Sequence, residues 1–317
     1  EKPQGKNPPL KMEKSFTIMP RGVALVIACS TFPTWNGYPG IFASLVTGNP
    51  VIVKAHPTVI LPLAICVAVA RNVLKEAGFD PNLVSLLIDD PAMPVAKDVA
   101  MRPEVRLIDY TGGPDFGNWL EENCRHANVY TEKAGVNCIV VDSVDDYKAM
   151  LKNLAFTLSL YSGQMCTTPQ TLFVSREGVK TSEGVVSAEQ FGHDLANAVS
   201  KFLEDPKRAV EVLGALQSPA TLARLEAAGE IGEVLRASSL VQHPQWPEAR
   251  VHSPLILKVD VADERAYMEE RFGPITLVVE TATTAQSLAT AERVIREQGA
   301  ITFGVYSSNH VIVEHAE

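Results

Sequence analysis

Short, continuous apolar runs alternate along this chain with segments whose apolar positions recur at helical spacing. Gly22 to Ser30 (GVALVIACS), Val51 to Lys54 (VIVK), Leu83 to Ile88 and Val105 to Tyr110 read as strands covered on both faces. Between them, Tyr38 to Thr47 reads as a short helix, and a second helix enters through Pro62, runs to Ala77 and stops at Gly78. Strands alternating with helices predict a parallel, doubly wound sheet. After the fourth strand, Thr111-Gly112-Gly113-Pro114 opens a helix over DFGNWLEENC. A helix start reached through glycines can take a phosphate on its free N–H groups, although a plain tight turn has the same signature.

The pattern then renews itself. Tyr130 to Asn137 leads into the strand CIVVD, and Asp142 to Leu160 has the spacing of an amphipathic helix. The strand TLFV follows, then a helix from about Ser187, where Ser187 and Gln190 have capping-box spacing. A polar segment from Arg224 to Arg236 comes next, then strands around Leu240 and from Leu255 to Val259, the strand ITLVVE, a helix near Ala285 to Gln298 closed by Gly299, and ITFGVY. The expected fold class is α/β in two domains, 1–136 and 137–317.

Composition narrows the function. Hydrophobic residues make up 46% and charged residues 21%, the balance of a soluble globular protein. A net charge of −9 without clustered lysine and arginine argues against nucleic acid as a partner. The longest apolar run, Val59 to Ala70, contains Pro62 and is too short to cross a bilayer, so no membrane partner is expected. Five scattered cysteines without CxxC spacing indicate neither disulfides nor zinc, and the seven histidines show no metal-ligand pairing. No metal is expected, and the cysteine usage fits a cytoplasmic protein.

The candidate chemistry centres on Tyr161 to Gln170, YSGQMCTTPQ. Gly163-Gln164 before Cys166 and Thr167-Thr168-Pro169 after it stop the preceding helix and hold the sulfur in a tight polar turn, a setting suited to a thiolate nucleophile. A lone cysteine in an apolar chain is also a common small core residue. Lys54, at the tip of its strand, either marks where the strand meets water or offers a cation to a ligand hydroxyl or phosphate. Glu132 lies 34 residues before Cys166 and by itself reads as a surface carboxylate.

Order and spacing together resemble the aldehyde dehydrogenase superfamily from about Arg21 to Tyr306. The matching pieces are Phe32-Pro33, Gly48-Asn49, Lys54, Thr111-Gly112-Gly113 with Gly117, Glu132-Lys133-Ala134-Gly135, Gly163-Gln164-Met165-Cys166 and Glu269 through Pro274. The glutamate-to-cysteine separation agrees with the family. The resemblance implies Cys166 as nucleophile toward an aldehyde, Glu132 as general base for thioester hydrolysis, and a backbone N–H plus one side chain as oxyanion donors. It also implies Lys54 on the adenosine ribose, Gly113 facing the pyrophosphate, and Glu270 with Phe272 at the nicotinamide riboside. By the same resemblance 1–136 is the cofactor-binding domain and 137–317 the catalytic domain. TFPTWNGYPG and GQMCTTPQ are similar to the PaaN-like branch associated with phenylacetate degradation.

Three departures from the family pattern stand out. The family's oxyanion asparagine falls on Thr31, with Asn36 five residues further on. Pro57 stands where NAD-preferring members often carry a ribose-binding glutamate, which favours NADP over NAD. The family's longer ends, used in oligomer formation and substrate binding, lie outside this sequence, and with them the chain is expected to form a homo-oligomer. A CoA-acylating enzyme acting on a CoA-linked aldehyde, and a non-catalytic relative, are the alternatives. Glu132 argues against the first, because a transferase gains nothing from a water-activating base.

Overall fold

The structure, a computed structural model, describes residues 2–4 and 6–317. The chain divides into two compact units, residues up to 132 and residues 133–317, where the sequence put the boundary at 136/137. Of the proline-rich N-terminal stretch, Lys2–Gln4 and Asn7–Leu10 pair as antiparallel strands, while Glu1 and Gly5 lie outside the described residues.

In the first unit five parallel strands are ordered Val84–Leu87, Val51–Lys54, Val23–Ile27, Val105–Thr111, Asn128–Glu132. The Val23–Ile27 strand is central, and its alternate residues serve both faces. Ala24 and Val26 pack with Ile41, Leu63 and Val67 of the helices Pro33–Val46 and Leu61–Glu76. Leu25 and Ile27 pack on the opposite face with Ala100, Leu120 and Cys124. Helices on both faces make this sheet doubly wound, as the apolar runs predict.

Two elements differ from expectation. The first helix begins at Pro33, not near Tyr38, because proline at the first helical position has no N–H to lose there, and Pro39 is accommodated further along. Asn128–Glu132 is a full edge strand paired with Leu107–Thr111. Its exposed Asn128 and Tyr130 carry no apolar run to announce it.

The second unit holds a sheet ordered Glu233–Arg236, Leu255–Asp260, Ile275–Thr281, Thr171–Ser175, Cys138–Val141, Phe303–Tyr306. The first pair is antiparallel and the rest parallel. Leu288, Ala291 and Val294 of the helix Thr284–Gln298 cover one face. Helices Tyr147–Ser159 and Ala188–Phe202 cover the other through Leu151, Leu154, Phe191 and Leu195. The segment Arg224 to Arg236, read from the sequence as polar, holds the second half of the helix Pro219–Ala228 and the edge strand Glu233–Arg236. Leu240 makes only an isolated bridge to His252, so no strand forms there.

Candidate active site

In the first unit the candidate residues gather at the carboxyl ends of the parallel strands, where such sheets bind ligands. Lys54 ends its strand with a side chain only 7% exposed, and its Nζ lies 2.5 Å from Asp89 Oδ1, itself on a side chain 3% exposed. Asp89 Oδ1 receives that charge without an aligned hydrogen bond. Asp89 Oδ2 accepts from the Val95 N–H at 3.2 Å. Lys54 is therefore a neutralised, buried cation. Burial and Lys54 together hold the neighbouring His56 imidazole below its usual value, with Asp89 opposing them.

Gly113 caps the helix Pro114–Asn123, and no atom stands within 4 Å of where its Cβ would be. That open space beside free helix N–H groups fits a pyrophosphate. Gly112 is a glycine for another reason: a Cβ there would strike the Tyr110 hydroxyl. That hydroxyl donates to Gly113 O at 2.8 Å. Its acidity is weakened first by burial, then by Asp115 and Cys29, which push it up to about 12.

Thr31 lies in the loop before the Pro33–Val46 helix, its Oγ1 3.7 Å from Cys29 Sγ. Asn36, one turn into that helix, donates from Nδ2 to Glu132 Oε2 at 3.1 Å. Glu132 ends the edge strand, and its carbonyl accepts from the Gly112 N–H at 3.0 Å. Asn36 and Glu132 open onto a cleft of about 320 Å³ lined also by Trp35, Asp109 and Tyr130, whereas Thr31 is not part of its lining. The cleft thus holds two carboxylates. Burial, and then the charge of Glu132, push the Asp109 carboxyl above its ordinary range.

In the second unit Cys166 is a half-buried thiol outside any disulfide, on the loop that follows the Tyr147–Ser159 helix. Just before it the backbone turns left-handed at Tyr161, Ser162 and Gly163, with φ of 54°, 52° and 65°. Two non-glycine residues in that region cost about 1–2 kcal/mol each. Buried side chains hold the turn in place. Ser162 Oγ donates to His252 O at 2.7 Å and accepts from the Gly214 N–H at 3.2 Å. Gln164 Nε2 donates to Ala215 O at 2.9 Å while its Oε1 accepts from the Gln217 N–H at 3.0 Å.

The loop is fastened from below by Asn137. Its Nδ2 donates to Cys166 O at 2.7 Å and to Thr168 O at 3.1 Å, and its Oδ1 accepts from the N–H groups of Ile301 and Thr302. The second unit also brings the Gly163 turn against the Glu269–Pro274 stretch, since a Cβ on Gly163 would strike Gly273 O. Gln170 joins the two, donating to Glu269 O at 3.0 Å and accepting from the Arg271 N–H. Glu270 Oε1 accepts from the Gly135 N–H at 3.4 Å. Burial raises the Glu270 carboxyl above its usual range, against the pull of Gly135 and Arg224. Phe272 is held through its carbonyl, which accepts from Arg224 Nη1 at 2.7 Å.

The other thiols are placed differently. Burial pushes the Cys66 and Cys124 thiols up, and that of Cys138 up to about 12, which disfavours their thiolate forms. In the first unit the partner of Glu132 is Asn36, and not Thr31, on which the sequence placed the donor role; the second unit assembles the Cys166 turn with Glu270 and Phe272. Asn137, Gln170 and Asp89 were missed from the sequence. Each is a polar residue beside an apolar strand, and only contacts distant in sequence reveal its role.

A parallel sheet in the first unit and a largely parallel one in the second, each covered by helices on both faces, with a cysteine on a strained turn in the second, make an α/β architecture of the aldehyde dehydrogenase kind. Residues 1–311 match the aldehyde dehydrogenase family, and the chain belongs to that family. Among solved structures it is similar to the NAD-dependent aldehyde dehydrogenase of Burkholderia multivorans, with TM-score 0.92 and 54% identity over 99% of this chain and 57% of that one. It is 25% identical over 317 residues to the 1-pyrroline-5-carboxylate dehydrogenase of Bacillus cereus, covering 95% of this chain and 57% of that protein. The fold is shared with an NAD-dependent benzaldehyde dehydrogenase from Corynebacterium glutamicum, TM-score 0.65 and 17% identity over 93% of this chain and 61% of that one. The chain therefore spans just over half the length of these relatives. Among the described residues no helix is long and apolar enough to cross a membrane.

Proposed function

We infer that this chain carries the cofactor site and the nucleophile of an aldehyde dehydrogenase that oxidises an aldehyde to a carboxylic acid. The observation that carries this reading is the Cys166 turn: a half-buried thiol on a backbone whose strain is held by Ser162, Gln164 and Asn137. Structures store strain of this kind where a reacting atom must be aimed. Residues up to 132 serve as the cofactor unit and residues 133–317 as the catalytic unit.

In the reaction the Cys166 thiolate adds to the aldehyde carbon, and the oxyanion of the thiohemiacetal is met by the Cys166 N–H and by the Thr31 hydroxyl. A nicotinamide, when bound, supplies the hydride acceptor that leaves a thioester on Cys166. Glu132 takes a proton from water; the hydroxide adds to the thioester carbon, the C–S bond breaks, and Cys166 leaves as thiolate. Gly113 with the helix it caps would hold the pyrophosphate, and Glu270 with Phe272 the nicotinamide riboside.

Pro57 leaves the ribose site without the usual glutamate and supports NADP, whereas the NAD-dependent relative from Burkholderia multivorans supports NAD, the reading taken here. The stretches 31–40 and 163–170 support an aromatic aldehyde of the phenylacetate type, as in the PaaN-like branch.

The test is cofactor reduction with NAD and NADP against aliphatic, aromatic and CoA-linked aldehydes, with and without free CoA. The reading predicts CoA-independent reduction with NAD preferred and an aromatic aldehyde favoured. Turnover that requires CoA would replace hydrolysis with acyl transfer.

A further inference from the structure

Glu132 is fixed through its backbone at the end of an edge strand, but its carboxylate is held by a side chain 96 residues away, Asn36. The amide of Asn36 has its direction set from behind. Its Oδ1 accepts from the Cys29 thiol at 3.5 Å, and that sulfur in turn accepts from the Phe32 N–H at 3.4 Å. With the oxygen so engaged, Nδ2 faces Glu132. The helix bearing Asn36 is itself seated tightly on the sheet, because a Cβ on Gly40 would lie 2.5 Å from Asp109 Oδ2.

Asp109 is what makes the amide necessary. In the parallel register Asp109 pairs with Tyr130 and Thr111 with Glu132, so Asp109 and Glu132 are diagonal neighbours on one face of the sheet. Side chains of like charge at that spacing repel. On that face the strand Val105–Thr111 contributes Asp109, the strand Asn128–Glu132 contributes Glu132 and Tyr130, and the helix Pro33–Val46 contributes no charged residue.

We propose that Asn36 is the positioning residue for Glu132: its amide holds the carboxylate in the cleft against the repulsion of Asp109 and thereby sets the rate of acyl-enzyme hydrolysis. The proposal rests on the reading of Glu132 as the base. Asn36 acts on that base and not on the attack by the thiol, so its loss slows release of Cys166 from the thioester and leaves thioester formation alone.

Pre-steady-state cofactor reduction by the full chain separates these steps. Asn36→Ala is expected to keep a rapid burst near one reduced cofactor per site and to lower the steady-state rate about tenfold or more, the order for a lost hydrogen bond to a charged group. In a Glu132→Gln background the same change is expected to add nothing, since the two residues act as one unit. Asn36→Ser, which suits a helix start, is expected to show the same split if the alanine variant folds poorly. Equal loss of burst and steady state would overturn the proposal and make Asn36 an oxyanion donor or a structural residue. Unchanged kinetics in Asn36→Ala beside a burst-and-stall Glu132→Gln would overturn Asn36 alone. A Glu132→Gln variant that turns over normally would remove the base reading, and the proposal with it.

Discussion

Asn137 Nδ2 donates to the main-chain oxygen of Cys166 at 2.7 Å while the same side chain's oxygen receives the N–H groups of Ile301 and Thr302. One buried amide thus ties the nucleophile loop to the segment leading into the last strand. The tie opposes relaxation of a loop that carries left-handed residues at Tyr161 and Ser162.

Replacing Asn137 with alanine removes its hydrogen bonds to the half-buried Cys166 and Thr168 carbonyls and to the N–H groups of the exposed Ile301 and Thr302. Each such hydrogen bond is worth about 0.5–1.5 kcal/mol. The variant is expected to lose about 3 kcal/mol in urea denaturation and to alkylate at Cys166 with an altered rate, because the loop relaxes.

Gly163 has φ 65°, and a Cβ there would strike Gly273 O. Gly163→Ala meets backbone strain and a backbone clash together, so a loss of about 2–4 kcal/mol in the same assay is expected. Gly113→Ala is the contrast. Its φ is −66° and the space is open, so stability should stay within about 0.5 kcal/mol while cofactor affinity falls.

Much of the fold was legible because local signals agreed with the tertiary structure. Pro62 in and Gly78 out bracket the helix Leu61–Glu76, the Ser187 hydroxyl accepts from the Gln190 N–H as its spacing predicts, and Gly299 closes its helix at φ 77°. The strand Asn128–Glu132 was not legible, since an edge strand needs no apolar run. The Cys166 turn was legible as a turn, but its fastening was not, because Asn137 lies 29 residues before Cys166 and the partners of Gln170 are Glu269 and Arg271, about a hundred residues on. Lys54 was legible as a cation at a strand tip. Asp89, its counter-charge, was hidden in a loop that sequence patterning leaves unread.

The Lys54–Asp89 pair is buried on both sides. Removing one partner strands a charge, so Asp89→Ala is expected to destabilise by about 3–5 kcal/mol, measured by urea unfolding. Replacing both by apolar residues should be far milder.

Asp109 predicts a pH dependence. Burial and Glu132 raise its folded value above the unfolded one, so the folded state binds more protons in the window between the two. Stability therefore falls as pH rises through that window, and above it the charged carboxylate is a constant burden. Asp109→Asn is expected to raise the melting temperature at pH 7, with the gain vanishing as pH falls toward about 4, where the unfolded carboxyl also holds its proton. An equal gain at both pH values would place the effect elsewhere.

The central claim is that Cys166 bears the acyl group. Mass spectrometry of the Glu132→Gln variant, quenched in acid after mixing with an aldehyde and oxidised nicotinamide cofactor, tests it directly. The account predicts an acyl mass on the peptide carrying Cys166, absent when Cys166 is alanine. Cofactor reduction without mass on that peptide, or with the mass on another cysteine, would contradict it.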